Sequence, residues 1–129
     1  MSGASADVVA PNNSDIGDMV QEGKNKTKIY CQRCSSLILL QQKASIKEKE
    51  LFLPHMKKKP NAAPEDGETL NNFWLVEDMF TFENLGFTNT VDNIKYLICA
   101  DCEVGPIGVH DIRQNKLFYV ALDRVKHGE

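Results

Sequence analysis

A chain of 129 residues, 42% hydrophobic and 26% charged, fits one small globular domain, and no second, catalytic one is expected. Its apolar stretches fall far short of the roughly 20 residues needed to cross a bilayer, so no membrane insertion is expected. A formal charge of −3 supplies no general pull toward nucleic acid, which is usually met with a basic face.

Residues 1 to about 26 are rich in Ser, Asn, Asp and Gly with isolated apolar residues, too few to repay the entropy of ordering, and read as a disordered N-terminal tail. The tail begins without the basic region and apolar run of a secretory signal, so a cytoplasmic location is expected. The folded domain is expected over 27–127. Thr27 to Tyr30 leads into Cys31-Gln-Arg-Cys34, and Leu37 to Leu40 follows, giving two strands paired around a tight turn. Gln41 to Glu50 is polar around Ala44 and Ile46, and suits either a short strand with a turn or a weak helix.

Leu51-Phe52-Leu53-Pro54 is a short apolar run stopped by proline, whose missing N–H and fixed φ end a ladder. A mobile loop is expected at about 55–70, where Lys57, Lys58 and Lys59 suit either phosphate contact or plain solvation. From Asn72 the chain becomes aromatic. Trp74, Val76, Phe80 and Phe82 share one strand face, whereas Leu75, Met79 and Phe82 share a helical stripe; the aromatic and β-branched content favours strand. Trp74, Leu75 and Val76 read as core. Asp78, Met79 and Phe80, with Glu83 just beyond, suit either core or the mixed apolar and acidic surface of a protein-binding hot spot.

Leu85 to Thr90 reads as a turn or loop, after which Ile94 to Ile98 runs as a strand straight into Cys99-Ala-Asp-Cys102. Glu103 to His110 carries two glycines and a proline that turn the backbone. Lys116 to Val125 is nearly all apolar at first, as in a strand buried on both faces.

The four cysteines form two pairs of C-x-x-C spacing, about 65 positions apart, and two such turns complete one tetrahedral Cys₄ site. Disulfides need an oxidising compartment, and a thioredoxin-like pair needs no distant duplicate. One structural zinc ion on Cys31, Cys34, Cys99 and Cys102 is therefore the expected cofactor. Four thiolates leave no open position for a catalytic water, so the metal would hold structure and no enzyme activity is expected.

Five separated blocks carry a resemblance: Cys-Gln-Arg-Cys, Leu-Phe-Leu-Pro-His-Met-Lys-Lys-Lys-Pro, Trp-Leu-Val-Glu-Asp-Met-Phe-Thr-Phe-Glu-Asn, Cys-Ala-Asp-Cys-Glu-Val-Gly-Pro-Ile-Gly and Phe-Tyr-Val-Ala-Leu-Asp-Arg-Val. Over about residues 28 to 127 the chain resembles the Rab-interacting factor family, small zinc proteins first known as guanine-nucleotide-releasing factors for Rab GTPases. The resemblance implies a mainly β, β-tent fold of several coiled antiparallel sheets with zinc at one edge. It implies a partner, exocytic Rab GTPases bound best in the nucleotide-free form, and a role in vesicle-mediated transport as exchange factor or holdase, acting as a monomer. Carried over by motif, the Rab-facing residues are Asp78, Met79, Phe80, Glu83, Asn84 and Asp101. The chain departs from the family in its longer N-terminal tail and in Ser35, which stands where glycine is common.

Two rival classes fit the residues less well. A zinc-ribbon-like nucleic-acid-binding module would want basic and aromatic residues near the cysteines, where Asp101 and Glu103 are acidic. Methionine-R-sulfoxide reductases, which resemble the expected fold, need a further nucleophilic cysteine, and the sequence has no fifth. His110 suits a packed or surface residue better than a fifth ligand or a base; His55 and His127 are expected in a loop and a tail.

Overall fold

The computed structural model describes residues 17, 19–58, 66–114 and 116–128. Within them the chain runs as short strands and tight turns. β1 (Val20–Gln21) and β2 (Lys24–Asn25) form a hairpin, and β3 (Ile29–Cys31) and β4 (Leu37–Leu39) flank the first cysteine pair. β5 (Ser45–Pro54), β6 (Lys57–Lys58) and β7 (Gly67–Val76) follow, then a 3₁₀ turn at Met79–Thr81. β8 (Leu85–Phe87), β9 (Ile94–Cys99), β10 (Val104–Gly105), β11 (Gly108–Asp111) and β12 (Phe118–Ala121) lead to a second 3₁₀ turn, Leu122–Arg124, and to β13 (Val125–His127).

The strands make an eight-stranded sheet in the order β1-β2-β5-β7-β12-β11-β9-β8, a three-stranded sheet β13-β3-β4 and a ribbon β10-β6. Every pairing is antiparallel, which is the mainly β, several-sheet architecture expected. No helix among the described residues is long and apolar enough to cross a membrane.

Side chains alternate between the faces of a strand, and here both faces of the large sheet are used. Trp74 and Val76 of β7, Leu97 and Cys99 of β9, and Phe118 and Val120 of β12 pack with Ile29, Cys31, Ile38, Leu39 and Val125 of the small sheet. The intervening residues Phe73, Tyr96, Tyr119 and Ala121 join Leu53, Leu70 and Val109 in a second cluster on the opposite face. β12 is buried throughout, as its apolar run predicts. Gly108 lets β11 and β12 meet: a Cβ there would lie 2.1 Å from the Tyr119 carbonyl oxygen.

Several expectations meet a different outcome. Residues 1–16 and 18 of the expected tail lie outside the described residues, but 20–25 form the β1–β2 hairpin and add two strands to the large sheet. Polar side chains hid this, because the hairpin is held by hydrogen bonds more than by apolar burial. Asn25 is fully buried: its Nδ2 donates to the Thr27 and Leu40 carbonyls (2.9 and 2.8 Å), and its Oδ1 accepts from the Lys43 and Ala44 N–H groups (2.9 Å each). Asn25→Ala strands all four backbone groups, and a cost of about 3 kcal/mol is expected in urea melts.

Of the expected loop at 55–70, residues 59–65 lie outside the described residues, whereas Lys57–Lys58 pairs with Val104–Gly105 and β7 begins at Gly67. Gln41 to Glu50 resolves into a turn followed by the start of β5, whose partner β7 supplies the ladder. The segment read as a loop at Leu85 to Thr90 contains β8, the edge strand against β9. Arg124 is buried, donating to the Pro54 and Pro106 carbonyls at 3.0 and 2.8 Å and pairing with Glu68 at 3.2 Å, so one guanidinium ties the ends of β5 and β7 to the β10–β11 connection.

His110 is packed, stacked on Phe118 at 4.0 Å with its Nδ1 2.8 Å from the Leu117 carbonyl. His127 is no tail residue: it closes β13, and its Nε2 accepts the indole N–H of the fully buried Trp74 at 3.0 Å. That bond needs an unprotonated Nε2, and burial lowers the pKa of His127 below its ordinary value, with a smaller opposing pull from Asp123. A depressed value means stability present above the unfolded pKa of about 6.5 and lost as pH falls through the native one. Melting temperature should drop from pH 7 toward pH 5, and less so in His127→Gln, whose amide accepts the same proton without titrating.

Candidate metal centre and the adjoining surface

β3 and β9 each end on the first cysteine of a pair, so the sheets deliver Cys31 and Cys99 as fully buried residues at one edge of the core. The chain then turns back in the same way twice. Ser35 N–H donates to the Cys31 carbonyl at 3.0 Å and Glu103 N–H to the Cys99 carbonyl at 2.9 Å. Ser35 (φ 64°) and Glu103 (φ 62°) both occupy the left-handed region, so Ser35 does adopt the backbone that would favour glycine.

The four sulfurs lie within 4.8 Å of one another, with Cys31–Cys102 and Cys34–Cys99 each 3.6 Å apart. A tetrahedral ion with metal–sulfur bonds of about 2.3 Å requires about 3.8 Å between sulfurs, so the donor set fits. Cys34 is exposed, Cys102 half-buried. Hydrogen bonding by Ser36, through its hydroxyl and then its backbone N–H, draws Cys34 down to about 6, while burial pushes Cys99 up to about 12 and raises Cys102. The Ser36 hydroxyl, 3.3 Å from the Cys34 sulfur, also bonds the Asp101 carboxylate. The Cys34 thiol donates to the hydroxyl oxygen and the hydroxyl donates to Asp101, so the two bonds hold together. A buried thiol such as Cys99 keeps its proton unless a cation displaces it, which is what a metal ion in this cage would do.

The segment after Phe82 is wedged between the two turns. Glu83 N–H donates to the Ile38 carbonyl at 2.8 Å, Asn84 Nδ2 donates to the Leu37 carbonyl at 2.9 Å, and the Asn84 carbonyl accepts from Ala100 N–H at 2.9 Å. Glu83, Asn84 and Asp101 are exposed and adjoin the cysteine cage, but Asn84 and Asp101 also brace it, a role their sequence positions did not reveal. Asp78 caps the 3₁₀ turn, accepting Phe80 N–H at 2.9 Å. β7 ends at Val76, so Phe80 leaves the strand face shared by Trp74 and Val76; Phe80 is 86% exposed and Met79 45%, while Phe82 turns inward against Phe118. The strand expected to continue through Phe82 gives way to this cap and turn. Two adjoining hollows of about 320 and 200 Å³ flank Met79, one reaching Glu77 and Lys116, the other Phe87, Lys95 and Ile112.

An antiparallel β domain whose ends are brought together by a four-cysteine cage of metal-binding geometry defines the class: a small β protein built around a Cys₄ site. Within that class the chain belongs to the family described as Mss4 protein, which matches residues 24–127. It is 44% identical over 116 residues to a Drosophila melanogaster protein named guanine nucleotide exchange factor MSS4 homolog, covering 88% of this chain and 94% of that one. A Schizosaccharomyces pombe protein of the same name is 29% identical over 90 residues, covering 69% and 86%.

Proposed function

We propose that this chain is a guanine-nucleotide exchange factor or holdase for exocytic Rab GTPases, binding them best when empty of nucleotide, and working as a cytoplasmic monomer in vesicle-mediated transport. One zinc ion on Cys31, Cys34, Cys99 and Cys102 has a structural part. What supports the reading is the name its relatives carry together with Phe80, a large aromatic side chain held out at 86% exposure beside Met79 and framed by Asp78 and Glu83. Such a side chain has no folding reason to be there.

The mechanism is linkage. A protein that prefers empty Rab weakens the Rab's hold on GDP by the same factor by which GDP weakens its own binding. A thousandfold effect requires about 4 kcal/mol of differential binding, within reach of one interface of standard size with two apolar anchors. Met79 and Phe80 are those anchors, with Asp78, Glu83, Asn84 and Asp101 around them. A complex that outlives the exchange step makes the same protein a holdase.

The test is a panel of Rabs, each prepared with GDP, with a GTP analogue and without nucleotide. Preferential capture of the empty form and faster GDP release are expected for exocytic members; equal capture of loaded and empty forms overturns the proposal.

A further inference from the structure

Of the five large hydrophobic side chains exposed among the described residues, three, Met79, Phe80 and Ile112, border the two hollows that meet at Met79 and Phe118. Ile112 lies in the β11–β12 turn, over thirty residues from Phe80, so the chain assembles this apolar patch from distant segments. The hollow between Met79 and Ile112 is floored by Phe87, Phe118 and His110, with His110 stacked on Phe118.

Glu77 and Asp78 share the hollow beside Phe80 with Lys116, and Lys95 is the charged group of the Met79–Ile112 hollow. Lys95 is held with its Nζ 5.9 Å from the centre of the Phe87 ring, and Lys116 lines the neighbouring hollow. Among the described residues neither has a carboxylate within ion-pair distance, whereas Arg113 pairs with Asp111 and Arg124 with Glu68. A cation beside an apolar hollow, once covered, needs an anionic partner or it is buried uncompensated.

We propose that the Met79–Ile112 hollow is a second half of the GTPase-binding surface, taking an apolar side chain of the partner that is flanked by carboxylates, which Lys95 and Lys116 pair. This rests on the function proposed above and adds to it the partner's chemistry: an apolar knob with carboxylates placed to reach Lys95 and Lys116.

The experiment measures affinity for the empty Rab that the panel selects, for the parent, Phe80→Ala, Ile112→Ser and the double variant Lys95→Glu with Lys116→Glu. The double variant should bind at least tenfold more weakly at low salt, with the difference shrinking as salt is raised, and Ile112→Ser about tenfold more weakly at any salt. All four proteins should melt alike, since the changed side chains are partly or largely exposed; a Lys116→Glu single variant isolates the charge effect should the double variant melt lower. Weak binding by Phe80→Ala alone, with the other variants at parental affinity at all salts, overturns the second half and leaves the function standing. Parental affinity in Phe80→Ala as well, or a parent that binds no Rab, overturns both.

Discussion

Removing the metal, by chelator or by Cys31→Ser, is expected to unfold most of the domain. The cage joins the end of β3 to the end of β9, and the Glu83–Asn84 segment is hydrogen-bonded to Leu37 and Ile38 after the first turn and to Ala100 in the second. Structural zinc contributes on the order of 10 kcal/mol in such sites, comparable with the whole stability of a small domain, 5–15 kcal/mol by general experience. Burial opposes this in part, because Cys99, pushed up to about 12, must give up its proton to the metal. The measurement is the fluorescence of the single, fully buried Trp74 during thermal melting with and without chelator, alongside metal content. An unchanged melt would remove the metal from any account of stability.

Phe80→Ala is expected to separate binding from folding. At 86% exposure the ring contributes little to the core, so the change in stability should stay within about 0.5 kcal/mol. Loss of a central aromatic anchor costs about 2 kcal/mol or more in binding, roughly a thirtyfold fall in affinity for empty Rab, with a matching fall in the rate of GDP release. Asp78→Ala is the informative companion, because its carboxylate accepts the Phe80 N–H and fixes the turn that presents the ring. A Phe80→Ala protein that releases GDP at the parental rate would place the partner surface elsewhere.

The cysteine cage was legible because C-x-x-C spacing is local chemistry: two thiols on one turn need only two residues between them, whatever the rest of the chain does. The antiparallel strands around the first pair and the strand that enters the second were legible as apolar runs, as were the buried β12 and the core positions of Trp74 and Val76. The β1–β2 hairpin was not. Asn25 is buried by satisfying its hydrogen bonds on four partners between residues 27 and 44, and a polar composition gives no hint of that. His127 misled in the same manner, since its partner Trp74 is distant in sequence.

The aromatic segment shows the boundary best. Periodicity put Phe80 on the same face as Trp74 and Val76, and nothing local says that the strand stops at Val76. Asp78 caps a turn there because β12 and β7 pair only from Phe118↔Val76 to Ala121↔Phe73, leaving no ladder partner for the residues that follow. The amino-acid sequence alone therefore determined the four-cysteine donor set, the strand-rich class and the family. Which aromatic side chains are core and which face solvent, and that Ile112, Lys95 and Lys116 share a surface with Met79, was decided by long-range strand pairing, a property of the assembled sheets that no window of neighbouring residues contains.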